Sequence, residues 1–296
     1  MSSLSDRATT ALASGFNATA QAERVAATAA RRAGVTVSSR SDIDDLRTVS
    51  ALLESVWGRT PEGVPLNSEL LRSLVHAGGA VTAAHDARGE LVGAAVLSPA
   101  APHGSTYSLI AAASSGHRDK GVGGAVKLAQ RAWALQRGFR SMIWTFDPLV
   151  SRNARFNLAK LGAVADAYEP SFYGLMSDAI NGSDDSDRLV ARWQLDSHRV
   201  VAATEGTAPD PAPDAAADVL GTGPDGRPML RVDDSGLWCR VPEDIVDVRR
   251  RAPEDAAGWR SAVRTAVMDA LADGRTVTHM TRDGWYLLTR SQEGTR

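Results

Sequence analysis

The run Arg118-Asp-Lys-Gly-Val-Gly-Gly, ending at Gly124, sets two cations beside three glycines. Those residue types let backbone N–H groups approach an anion closely. A Walker A loop requires G-x-x-x-x-G-K-[ST]; Gly116 and Gly121 give the glycine spacing, but Val122 stands where the lysine must be. The dinucleotide pattern G-x-G-x-x-G starts at Gly121 and Gly123 and fails at Val126, with no acidic residue ending a following strand at the expected distance. What remains is R-x-x-G-x-G, Arg118 to Gly123.

The flanks must position that turn. "STYSLIAAAS" from Ser105 has strand character before it. After it, Val122, Val126, Ala129 and Trp133 recur at helical spacing, with Lys127, Gln130, Arg131 and Gln136 expected on the opposite, solvated face and Gly138 as the stop. "SMIWTF", Ser141 to Phe146, reads as the next strand. The glycines therefore open a helix after a strand, where uncapped N–H groups and the helix dipole attract anions.

This strand–turn–helix–strand unit, followed by "NARFNLAKLGA" from Asn153 to Ala163, resembles the GNAT acyltransferase superfamily, whose pyrophosphate-binding turn reads R-x-x-G-x-G. From about Ala18 to Ser197, "QRAWALQRG", "WTFDPL", "YG", "DAIN" and "SDR" are similar to a bacterial group of GNAT acetyltransferases. The resemblance implies an α/β fold with a mixed α+β sheet and an acyl-CoA co-substrate, acetyl-CoA or another, whose acyl group goes to an amine of a small molecule by direct attack. Arg118, Lys120, Gly121, Val122, Gly123 and Gly124 would hold the pyrophosphate. Backbone N–H groups at Ile110, Ala111 and Ala112 would meet the thioester carbonyl, and Asn153 would contact pantetheine or satisfy its own helix start. Two departures are evident. Ser105-Thr106-Tyr107-Ser108 replaces a stretch that tends to carry histidines in that group, and Leu158 stands where the superfamily usually has an acidic tyrosine. A CoA thiol resembles a cysteine thiol, with a pKa of about 8.5, so its thiolate leaves tolerably without an acid.

The catalytic candidates are Tyr107, Asp147, Tyr168 and Tyr173. Tyr107 lies on the right strand but needs strong perturbation to act as a base. Asp147, at the end of "WTFDPL", either anchors the acceptor's ammonium or caps the next helix. Tyr168 and Tyr173 could replace the missing acid or merely pack. His76, His85 and His117 read as structural or surface residues. A CoA-binding module without transfer activity, and an acyl-CoA decarboxylase, are the alternatives.

Composition sets the outer limits. The 296 residues carry a formal charge of -2, which gives no sign of a nucleic-acid binder or polybasic membrane anchor. Cys239 is the single cysteine, so no internal disulfide or cysteine zinc cluster can form, and no apolar run reaches membrane-spanning length. These traits, with no secretory h-region, lead to an expected cytoplasmic location. Lysine occurs only at Lys120, Lys127 and Lys160, an arginine bias suggestive of a GC-rich bacterial genome. A homodimer stays open.

Along the chain, 1–17 is expected to be frayed, with a helix over Ala18–Arg32, and 18–205 forms the acyltransferase domain. Asp166 to Arg188 is expected as a polar loop whose acidic excess would favour a cationic acceptor. Residues 206–228, rich in Ala, Pro, Asp and Gly, read as a linker or loop. Residues 229–296 read as a C-terminal α+β extension, whose hairpin around Asp283-Gly284 either stands apart or completes the main sheet.

Overall fold

The computed structural model describes residues 3–58, 65–117, 119–174 and 185–290, with side chains from Ala18 onward. The chain forms two compact units: Met1–Ile143 with Gln194–Val201, and Trp144–Trp193 with Ala202–Arg296.

The first unit opens with helix α1 (Ser3–Ala33), which starts well before the expected Ala18. Strand β1 (Thr36–Arg40) follows, then α2 (Ile43–Trp57) and α3 (Ser68–His76). Asp42 caps α2 by accepting from the Asp44 N–H, and Asn67 caps α3 by accepting from the Leu70 N–H. Strands β2 (Ala80–His85), β3 (Leu91–Ala100) and β4 (Ser105–Ala113) lead into α4 (Val122–Gln136) and β5 (Ser141–Phe146), through which the division between units passes. The sheet runs β1-β2-β3-β4-β5, antiparallel except for the parallel β4/β5 pair. Alternate strand residues point to opposite faces. Val81, Ala83, Ala94 and Val96 therefore pack with Leu46, Leu53 and Leu71 of α2 and α3, while Ala84 and Ala95 pack with Val122 and Val126 of α4. Helix α1 lies along α4.

In the second unit, α5 (Ser151–Arg155) continues into a π-helical turn, Phe156–Lys160, closed by the Leu161 N–H on the Phe156 carbonyl at 3.0 Å. Strands β6 (Val164–Glu169) and β7 (Arg188–Gln194) follow, then α6 (His198–Glu205) across the division. The remaining elements are β8 (Asp218–Thr222), β9 (Pro228–Asp233), β10 (Gly236–Arg240), α7 (Ile245–Arg251), α8 (Pro253–Ala272), β11 (Arg275–Met280) and β12 (Trp285–Arg290). The strands run β7-β6-β11-β12-β10-β9-β8 with every neighbour antiparallel. Helix α8 begins at a proline followed by Glu254 and Asp255 and buries Ala256, Trp259, Val263, Val267 and Ala270. Trp193, Trp238 and Tyr286 are fully buried in the core of this unit, Trp193 meeting Trp144 edge to face at 5.9 Å.

Two expectations change, and one open choice closes. The C-terminal hairpin joins β6 through Val277↔Ala165, so it extends that sheet. The stretch from Asp166 to Glu169 is strand β6, not loop. The segment read as a linker contains β8 and two anchors. Asp210 accepts from Arg155 at 2.8 Å and contacts His279 Nε2 at 2.9 Å, and Asp225 accepts two hydrogen bonds from Arg240 at 2.8 and 3.0 Å. Excising Gly206–Pro228 is therefore expected to lower the melting temperature by more than about 5 °C, read by calorimetry. An unchanged melting temperature would restore the linker reading.

Candidate functional site

Strand β4 carries Tyr107 and the Ile110–Ala112 stretch. Its parallel ladder with β5 covers Ser105↔Ser141, Thr106↔Met142 and Tyr107↔Ile143 and then ends. Toward β3 it is paired throughout with one irregularity: Val96 faces Ile110 and Leu97 faces Ser108, so Leu109 is an extra, bulged residue. Leu109 is turned outward, 39% exposed. Ile143 is the last residue of β5 that belongs to this unit, since the division between the units follows it.

The turn after β4 begins with the Ser114 N–H on the Val92 carbonyl at 2.9 Å and a 3₁₀ turn, Ser115–His117, in which Ser114 Oγ meets His117 Nδ1 at 3.0 Å. Asp119 and Gly121 both have left-handed backbone, φ 68° and 82°. Gly121 is the N-cap of α4 and makes no side-chain cap, so the first N–H groups of the helix lack a side-chain acceptor. Val122 is fully buried and pressed against Gly93, where a Cβ would lie 2.5 Å from Val122 Cγ1. Lys120, Gly121 and Gly123 are exposed, and a Cβ at Gly123 meets nothing within 4 Å. Val122 thus pins the turn to the core while the residues beside it open outward. Arg118 lies outside the described residues.

On the face of α4 expected to be solvated, Gln136 is exposed but Lys127, Gln130 and Arg131 are buried. Arg131, fully buried, donates to the Leu195 carbonyl at 2.8 Å and to Gln21 Oε1 at 2.7 Å. Lys127, also buried, donates from Nζ to Ser108 Oγ at 2.6 Å, and Ser108 Oγ donates to Gln130 Oε1 at 3.3 Å. Burial pushes the Lys127 ammonium down to about 7.

The other sequence candidates belong to the second unit. Asp147 is buried. Its oxygens accept from Arg249 at 2.6 Å, from Arg260 at 2.8 and 3.2 Å, and from the Leu149 N–H at 2.9 Å. Burial alone would raise its carboxyl, but Arg260 and Arg249 outweigh that and hold it low. It does not cap α5, whose N-cap is Val150 with no side-chain bond. Tyr168 is buried and donates to Asp187 Oδ2 at 2.6 Å; burial and that carboxylate push its phenol far up. Tyr173 is exposed, its ring edge-on to Phe172 at 4.7 Å and beneath the Arg188 guanidinium at 5.1 Å, with its hydroxyl 3.5 Å from Thr145 Oγ1. Asn153 is exposed on α5, its Oδ1 accepting from Asn157 Nδ2 at 3.4 Å.

Sequence reasoning missed the arginines that meet these acids. Asp166 pairs with Arg192 at 2.5 Å, and Asp185 and Asp187 both pair with Arg264, at 2.6 and 2.7 Å. Of the acidic excess expected to attract a cation, Asp166, Asp185 and Asp187 are committed, Glu169 is exposed at the end of β6, and Asp178 and Asp184 lie outside the described residues. Among the described residues, no group of His, Cys, Asp and Glu could hold a metal, and no helix is long and apolar enough to cross a membrane.

No family model matches the chain, and no curated protein matches it. Solved structures do. A GNAT-family protein from Desulfovibrio desulfuricans is 20% identical, covering 54% of this chain and 99% of its own, with a TM-score of 0.45. A GNAT superfamily phosphinothricin acetyltransferase from Sinorhizobium meliloti, in complex with acetyl-CoA, is 20% identical over 54% of this chain and 87% of its own, with a TM-score of 0.44. The ribosomal-protein-S18-alanine N-acetyltransferase from Escherichia coli is 12% identical over 54% and 94%, with a TM-score of 0.44.

Two outcomes follow from the buried charges. The unfolded chain keeps a lysine proton up to a pH of about 10.4, whereas the folded chain holds it at Lys127 only up to about 7. Stability therefore rises with pH between those values, by about 1.4 kcal/mol per unit from this group. Denaturant unfolding should show a rise from pH 7 to 9 that Lys127→Met lacks. Asp147→Asn removes the carboxylate that Arg249 and Arg260 share in the interior, and such a loss costs about 3–5 kcal/mol, seen as a lower unfolding midpoint.

Proposed function

We propose that the chain is an acyltransferase that moves acetyl, or another small acyl group, from CoA to an amine of a small molecule by direct attack in a ternary complex. One observation carries the reading: β4 bulges at Leu109 and leads straight into a glycine turn at an uncapped helix start. An extended chain bearing a carbonyl and ending in a diphosphate needs those two features in that order.

Gly121, Val122, Gly123 and Gly124 would hold the pyrophosphate through backbone N–H groups, with Arg118 and Lys120 supplying charge. The turn fits a diphosphate because no side chain caps it and the space at Gly123 is open. Ile110, Ala111 and Ala112 would present N–H groups to the thioester carbonyl and stabilise the oxyanion formed when the amine adds. The bound co-substrate supplies the activated acyl group and the thiolate leaving group. Asn153, exposed, would contact the pantetheine arm.

For proton handling, Tyr107 and Tyr173 are the residues to test. Asp147 and Tyr168 are each held in buried hydrogen bonds that a base or acid would have to break. Cys239 offers no covalent route, since burial pushes its thiol up to about 12. A cytoplasmic, reducing location suits that lone thiol.

Gly123→Val tests the proposal. With open space at its Cβ, the variant should keep its melting temperature within about 2 °C, yet weaken CoA binding by about 100-fold because the branch intrudes on the phosphate. Calorimetric titration with CoA reads this, and equal affinity in both proteins removes the assignment. Thiol release from acetyl-CoA on adding pooled amines then identifies transfer, whereas carbon dioxide release from malonyl-CoA would identify a decarboxylase.

A further inference from the structure

Gly93 lies within strand β3, not in a turn. It pairs with Ala84 of β2 on one side and with Ala113 of β4 on the other, so two ladders hold its backbone in place. A glycine inside a strand weakens it and marks a point where another group approaches the backbone closely. Here that group is Val122, the first residue of α4. A Cβ on Gly93 would stand 2.5 Å from Val122 Cγ1, 3.4 Å from the Ala112 carbonyl oxygen and 3.6 Å from Val126 Cγ2.

Val122 cannot turn its methyl groups aside. Valine in a helix keeps one χ1 rotamer, and Val122 and Val126 pack with Ala84, Val92 and Ala95, closed in by Ala33, Val35, Val37 and Ala113. Carbon atoms in contact sit about 3.5–4.0 Å apart, so a methyl at position 93 asks for a displacement of roughly 1 Å. The sheet resists it through both ladders of Gly93. On the other side, Val122 stands between Gly121 and Gly123, both exposed, with Gly121 in left-handed backbone at φ 82°. The displacement therefore falls on the first turn of α4.

We propose that Gly93 is a positioning residue of the co-substrate site: its missing side chain seats Val122, and that seat sets how close the first turn of α4, with the N–H groups of Gly121 to Gly124, lies to the sheet. This rests on the reading that those groups receive the CoA diphosphate. Gly93 stands on β3, outside the R-x-x-G-x-G run, and acts only through the Val122 side chain.

The test compares wild type with Gly93→Ala, Val122→Ala and the double variant. Gly93→Ala should weaken CoA binding at least about tenfold in calorimetric titration, because a shift of about 1 Å is costly at an oriented site. Val122→Ala removes Cγ1 and keeps the backbone N–H, so adding Gly93→Ala to it should change the Kd by less than about twofold. A merely weakened core would lower the melting temperature without this reversal. Exchange of the Ala125 N–H, which closes the first helical turn on the Gly121 carbonyl at 3.0 Å, needs no substrate. It should be at least about tenfold faster in Gly93→Ala than in wild type, and equal in Val122→Ala and the double variant. Unchanged CoA affinity in folded Gly93→Ala overturns the inference, as do losses that multiply in the double variant. If Gly93→Ala does not fold, the double variant decides: a Kd within about twofold of Val122→Ala supports the seat, and one tenfold weaker overturns it. A wild type that binds no CoA defeats the transferase reading, and exchange at Ala125 then decides on the seat by itself.

Discussion

Backbone N–H and C=O groups must be paired or left to solvent or a ligand, and in this chain β4 carries one bulged residue, Leu109, out of its ladder with β3. The rest of the N-terminal unit packs around that strand. β3 holds one of its edges along its length, yielding at Leu109 alone. Gly93 lets Val122 press into the sheet, which fixes the start of α4 close under the strand it follows. Helix α1 lies against α4, where its Gln21 accepts from the buried Arg131, while Lys127 reaches Ser108 of β4.

In the C-terminal unit the organising groups are buried charges. Arg260, on the face of α8 that also carries Trp259 and Val263, reaches Asp147, and Arg264, one turn later, reaches Asp185 and Asp187. Buried pairs of this kind add little net stability over apolar packing, but losing one partner is costly. They act here as registration: α8 has one placement in which both guanidinium groups meet carboxylates. Tyr286, whose hydroxyl donates to the Pro148 carbonyl at 2.7 Å, ties the chain just past Asp147 to β12 in the same way.

Much of this was legible in the letters. Apolar spacing located α4, and glycine spacing located the turn that opens it. What escaped has a physical pattern. β8 is an edge strand whose side chains are mostly exposed, so it carries no apolar alternation to betray it among Ala, Pro, Asp and Gly. Periodicity reads one buried face per helix, and α4 has two, the second imposed by α1 from about a hundred residues upstream. Asp147 looked like a helix cap because caps are local, whereas its arginine partners lie 102 and 113 positions away. The rarity of lysine was visible, but its meaning at Lys127 came from burial, which no single-sequence pattern displays.

Carboxylate charge in the C-terminal unit is met locally. Asp147, Asp166, Asp185 and Asp187 each face an arginine of the same unit, so their fields are largely cancelled where they stand. Phe172 and Tyr173, exposed by 44% and 53% and braced edge to face, follow the same rule: an aromatic face attracts a cation, and the Arg188 guanidinium already lies over the Tyr173 ring at 5.1 Å.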